Sequence, residues 1–160
     1  MCAASALQKA IHARLTGDAE LTALIGADGV CDRLLDRQRL PLVVIESIES
    51  RDRSTATEDG EEHWVTLVAW SKVGGHREAQ TIAARLRALL HGADLPLDGF
   101  HLVSLLHRST RLAREGTKAL HKAEMRLGEP AVVAVCHVGF PVVEDRRMTV
   151  DSGLVQPLLV

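Results

Sequence analysis

Aromatic side chains are almost missing from this 160-residue chain: Trp64, Trp70, Phe100 and Phe140 are the whole complement, and tyrosine is absent. So thin a supply leaves nothing from which to build a base-stacking platform or an aromatic cage for a cationic ligand. Cysteine is scarce as well. Cys2, Cys31 and Cys136 form no Cys-x-x-Cys pair and no even-numbered framework, which favours free thiols in a reducing compartment over a disulfide-stapled secreted fold. Nor does one sign of charge dominate: 19 Lys+Arg stand against 21 Asp+Glu, a formal net charge of −2. That balance removes any global electrostatic reason to bind nucleic acid or an anionic membrane. The most apolar stretch, 131–143, is interrupted by His137, Gly139 and Pro141 and falls short of the ~20 residues that span a bilayer. Because Met1-Cys2-Ala3-Ala4-Ser5-Ala6 has no basic start followed by an apolar run, no signal peptide is expected. These absences together predict a soluble protein.

What is there reads as an ordinary globular chain, 46% hydrophobic and 25% charged. Its length suits one domain able to bury roughly two thirds of its unfolded surface. Leu7, Ile11 and Leu15 form the i, i+4, i+8 stripe of an amphipathic helix. Asp18 is placed to cap a second short helix through Leu21, Leu24 and Ile25, which Gly26 can terminate. A strand is predicted over 42–49, where β-branched residues pass into alternation after Pro41, and a second over 61–71, with Trp64, Thr66, Val68 and Trp70 on one face and His63, Val65, Leu67 and Ala69 on the other. Residues 51–60 read as the long polar tip of the hairpin between them. After Gly74-Gly75 the period changes to about 3.6, and Ala79, Ile82, Ala83, Leu86, Leu89 and Leu90 predict a long helix closed by Gly92. Alternation over 100–107 predicts a third strand and 117–127 a fourth, joined near Glu115-Gly116. The fold class expected is α+β: an antiparallel or mixed sheet of about four strands packed with an N-terminal helical segment and one long helix. The valine-rich, glycine- and proline-punctuated segment 128–160 is expected to add one strand and a tail.

No catalytic or metal-binding pattern rises above the ordinary. The eight histidines include no His-x-His or His-Glu-x-x-His spacing, and Cys136 beside His137 in a strand would point to opposite faces. Gly74-Gly75 lacks the lysine and glycine spacing of a phosphate loop, and Glu58-Asp59-Gly60-Glu61-Glu62 lacks the spacing of a calcium loop. No metal or cofactor is therefore expected. A small sheet does leave strand edges to be shielded or used. Arginines at Arg51, Arg53, Arg111 and Arg114, together with carboxylates at Glu58, Asp59, Glu61 and Glu62, offer opposite-sign patches suited to head-to-tail contact between copies. Isolated solvated charges are the plainer reading of the same residues.

The order of several segments resembles a known family. Leu7-Gln8-Lys9-Ala10-Ile11, Leu21-Thr22-Ala23-Leu24-Ile25-Gly26, Leu40-Pro41-Leu42-Val43-Val44-Ile45 and Thr57-Glu58-Asp59-Gly60-Glu61-Glu62-His63 are followed by Val68-Ala69-Trp70-Ser71, Gly74-Gly75, the helix over 79–90, Leu95-Pro96-Leu97 and Leu102-Val103-Ser104-Leu105. In wording and spacing this is similar to the tail-completion or tail-terminator proteins of long-tailed bacteriophages and gene transfer agents. The resemblance covers about three quarters of the chain and sets a family-like domain over 1–127 apart from a divergent extension over 128–160. It implies a non-enzymatic subunit of a homo-oligomeric, hexameric ring at the head–tail joint of a particle assembled in bacterial cytoplasm. Such a ring caps the tail tube, contacts the tail-tube protein and the head-completion or connector protein, and lets DNA through its lumen without sequence-specific binding or any membrane. The hairpin tip at 57–63 would face neighbouring subunits or rings. The alternatives are a minor tail or neck adaptor, or a small cytosolic enzyme of another kind.

Overall fold

Leu7, Ile11 and Leu15 are buried along the first helix, α1 (Ala3–Thr16), as their spacing requires. The computed structural model describes residues 2–33, 39–57, 59–72, 75–115, 120–128 and 132–134. In the second helix, α2 (Ala19–Ile25), the Asp18 carboxylate accepts the Leu21 N–H at 2.7 Å, and Gly26 ends the helix at φ +87°, a left-handed value that glycine adopts without a Cβ penalty. Asp18 has a second role. Arg85 of the long helix α3 (Gly75–Leu90) donates to it through Nε at 2.9 Å and Nη2 at 2.6 Å, tying α3 to the start of α2. Those bonds, Arg85 first and the Leu21 N–H second, lower the Asp18 pKa to about 2.

The strands are β1 (Val30–Cys31), β2 (Leu42–Asp52), β3 (Gly60–Ser71), β4 (His101–Leu102), β5 (His107–Glu115), β6 (Leu120–Leu127) and β7 (Val132–Ala134). Five lie in the order β1-β2-β3-β6-β5, while β7 pairs with both β3 and β4. Only β1 with β2 is parallel, so the sheet is mixed and the fold is α+β. Alternation sorts β3 by parity, with Val65, Leu67 and Ala69 joining Ile82, Leu86 and Leu90 of α3 and Leu7 and Ile11 of α1 in one core. Trp64, Thr66, Val68 and Trp70 occupy the other face, where Lys122 Nζ lies 5.7 Å from the Trp70 ring centroid.

Two sequence expectations need correction. The third strand is not 100–107: in that stretch only His101–Leu102 is strand, and the long strand runs over His107–Glu115. The reason is edge position, since β5 pairs with β6 alone among the described strands and most of its side chains are exposed, which erases apolar alternation. The hairpin tip is also shorter than 51–60, because β2 continues to Asp52 and β3 begins at Gly60. Gly74, the joint at Gly116, Cys136, His137 and the tail over 135–160 lie outside the described residues.

Along one side of β3, β6 covers Val65 to Ser71 and β7 covers Gly60 to Glu62, so the two follow each other with a break at Gly128. There the Gly128 N–H donates to the Leu106 carbonyl at 2.9 Å, and the Gly128 carbonyl accepts from Arg108 Nε at 2.8 Å. The Trp64 ring lies so close that a Cβ at 128 would stand 2.5 Å from Cε3.

Leu67 is fully buried at the middle of this core. Leu67→Ala is expected to cost about 2–5 kcal/mol in urea unfolding through lost transfer energy and the cavity left behind. Val103→Ala, at a side chain 54% exposed, should stay within about 0.5 kcal/mol of the parent.

Candidate assembly surface

Beyond the core the β2–β3 hairpin continues as a polar arm that gathers most of the charged residues singled out by sequence. Arg51 stands opposite Glu62 and Asp52 opposite Glu61 in the ladder. Past the last rung, Arg53 turns back, its N–H donating to the Gly60 carbonyl at 2.8 Å and its Nε to Glu62 Oε2 at 3.0 Å. Glu62 is only 3% exposed, so its carboxylate is used inside the hairpin rather than offered to a partner. The tip closes through Ser54, whose hydroxyl hydrogen-bonds with Gly60 and whose N–H donates to Asp52 Oδ1 at 2.8 Å. Hydrogen bonds from Ser54 hold the Asp52 carboxyl below the usual carboxylate range. Asp59 is exposed and Glu61 half-buried, whereas Glu58 lies outside the described residues.

Arg111 and Arg114 are not beside that arm. Both project from β5 at the far edge of the sheet, two strands from β3, where Arg111 is level with Glu124 and Arg114 with His121 of β6. Spacing along the chain could not reveal this, because the separation follows from strand order. Both are exposed, and neither has an ion-pair partner among the described residues.

A buried polar group that sequence reading passed over sits at the root of the arm. His63 is 0% exposed, and its Nδ1 lies 2.8 Å from the hydroxyl of Ser50, its cross-strand partner. Glu61 Oε2 is 3.4 Å from Nε2 but is not aligned for a hydrogen bond, so Nε2 is a buried nitrogen without a hydrogen-bond partner among the described residues. A serine, an imidazole and a carboxylate in line have the composition of a nucleophilic relay. Ladder register already accounts for the contact, however, and the ring is enclosed. The only signal in the sequence was the pairing of positions 50 and 63, which requires the register to be known. Among the described residues no group of three His, Cys, Asp or Glu side chains is placed to hold a metal ion. Among the described residues no helix is long and apolar enough to cross a membrane.

Against known proteins, the sequence profile of the tail completion protein gp17 family matches residues 9–128. The chain belongs to that family. The match runs from the middle of α1 through α2, the hairpin arm, α3 and the sheet up to Gly128. A chain from the virion of a native gene transfer agent particle is similar in structure, with a TM-score of 0.75 and 26% sequence identity, over 84% of this chain and 99% of that one. Comparison with curated proteins gave no match. In this tail completion family member the arm and the β5 edge both carry exposed charge.

Burial pushes the His63 ring below its ordinary pKa of 6.5, against the opposing pull of Glu61. The unfolded chain then takes up a proton at a higher pH than the folded one, so stability is full above pH 6.5 and falls as pH drops below it. Urea unfolding at about pH 7.5 and about pH 5.5 should show this loss. His63→Gln should flatten it, and Glu61→Gln should steepen it.

Proposed function

We propose that this protein is the tail terminator of a phage or gene transfer agent: a non-enzymatic ring of identical subunits that caps the tail tube, stops its growth and joins it to the head connector. Family membership over residues 9–128 carries the reading, and the likeness to a chain of a gene transfer agent virion supports it. The physics of the surface agrees. A completed core beside charged, unspent strand edges suits a subunit whose contacts are made by copies of itself.

Within such a ring Arg51, Arg53, Asp59, Glu61 and Glu62 would form the arm toward a neighbouring subunit or ring. Glu62, held by Arg53, acts by stiffening the arm, while Asp59 supplies exposed charge. Carboxylates facing the lumen would repel phosphate and let DNA slide without the counterion-release attraction of a basic groove. The extension that follows residue 128 lies beyond the family match.

Loss of the gene should give tails of uncontrolled length, or heads without tails, by electron microscopy. Native mass spectrometry of capped tails should release a species near six times 17.4 kDa. Tails of normal length in the deletion would instead identify a neck adaptor, and a chain that stays monomeric in assembled particles would remove the ring. Asp59→Lys should reduce DNA-filled, tailed particles while leaving the monomer's unfolding midpoint unchanged.

A further inference from the structure

The sheet has two open edges, and their sequences answer each other. On one side β1 covers β2 only at Val43 and Val44, so among the described residues the rest of β2, up to Asp52, has β3 as its only partner strand. On the other side β5 has β6 as its only partner strand among the described residues. Each edge therefore presents backbone N–H and C=O groups without a ladder partner. The β2 edge carries Glu46 and Glu49, exposed and without an ion pair among the described residues; the β5 edge carries Arg111 and Arg114 in the same condition. Beside these charges each edge has one half-buried apolar residue packed against the core, Ile48 on β2 and Leu112 on β5.

We propose that the open edge of β2 pairs with the open edge of β5 in the next copy of this chain, antiparallel, with Glu49 opposite Arg111. This rests on the ring reading above and specifies its contact. Direction follows from topology. The strands β2, β3, β6 and β5 alternate in sense, so β2 and β5 run oppositely within one copy. A rotation about an axis along the strands preserves sense, so neighbouring copies meet antiparallel.

Register follows from side chains. With Glu49 opposite Arg111, the ladder also sets Ile48 against Leu112, Ser47 against Ala113, Ser50 against Thr110 and Arg51 against Ser109, and it brings Glu46, at the bulge between Ile45 and Ser47, to the end of the paired run beside Arg114. Opposite charges meet and apolar meets apolar, while Ser50 meets a hydroxyl and Ser47 faces the small Ala113. The faces agree too. Glu49 is level with Trp64, and Arg111, through Glu124, is level with Val68, positions of the same parity on β3. A slip of two residues keeps the faces but fails chemically. One direction puts Arg51 against Arg111 and Ile48 against Arg114; the other puts Arg111 against Ser47 and leaves Glu49 against Ser109.

The offset is physically required. Trp64 and Val68 are four residues apart, so adjoining copies are displaced along the strands by about 13 Å at roughly 3.3 Å per residue. Without that displacement Arg111 and Leu112 would meet β2 at Val44 and Val43, where β1 already sits. Tilted strands in a closed barrel supply a stagger of this kind.

The test is a cross-link in assembled particles. Arg51→Cys with Ser109→Cys, at exposed positions set opposite each other, should yield a ladder of covalent multimers up to the closed ring on a non-reducing gel after mild oxidation. Either single variant, or the out-of-register pair Arg51→Cys with Arg111→Cys, should not. Glu49→Arg and Arg111→Glu should each lower the yield of capped tails about tenfold, and the double reversal should restore most of it. No ladder from the in-register pair in particles with capped tails overturns the pairing and leaves the ring reading standing. A ladder accompanied by normal tail length in the gene deletion supports the pairing and removes the terminator reading. An equal ladder from the out-of-register pair overturns the register.

Discussion

The ladder between β2 and β3 is the constraint from which the rest of the molecule follows. Its inner end is locked by burial, because Val43 and Ile45 on one strand and Val65, Leu67 and Ala69 on the other must all point toward α1 and α3. A slip of one residue would turn every one of them to the opposite face. Past the bulge between Ile45 and Ser47 the ladder runs unbroken to Asp52, so the outer end is set by the same pairing. Ser50 must meet His63, Arg51 must stand by Glu62, and Arg53 must return to the buried carboxylate. The polar arm is thus aimed by hydrophobic packing some distance away from it.

Much of this was legible in the chain, and the parts that were not share one cause. The stripe of α1, the Asp18 cap, the long period of α3 and the two faces of β3 are all patterns written by one-sided burial, and such patterns survive in sequence. In β5 the run His107-Arg108-Ser109-Thr110-Arg111-Leu112-Ala113-Arg114-Glu115 lies at an edge with solvent around most of its side chains, so no alternation records its strand state. The candidate site divides in the same way. Arg51, Arg53, Asp59, Glu61 and Glu62 were visible as a charged segment. Which of them are spent internally depends on register, and only the fold distinguishes the buried Glu62 from the exposed Glu49 and Arg111.

Charge in this protein therefore has two uses. Some pairs are internal fasteners: Arg85 joins Asp18 and Glu20 across helices, with Nη1 to Glu20 Oε2 at 2.8 Å, and Lys122 joins Glu115 across strands at 3.1 Å. Others are left without an answer inside the fold and lie along its open borders. A near-zero net charge conceals this division, since fasteners and free groups cancel in the sum. For a member of a tail completion family, the free groups rather than the total describe what the surface can recognise.

The packing of Trp64 on Gly128 has an evolutionary consequence. The indole occupies the volume that any side chain at 128 would need, so the two positions share one allotment of space. Drift at either is tied to the other: a larger residue at 128 becomes tolerable only after the ring at 64 has shrunk, and the two sites should change together among descendants of this chain.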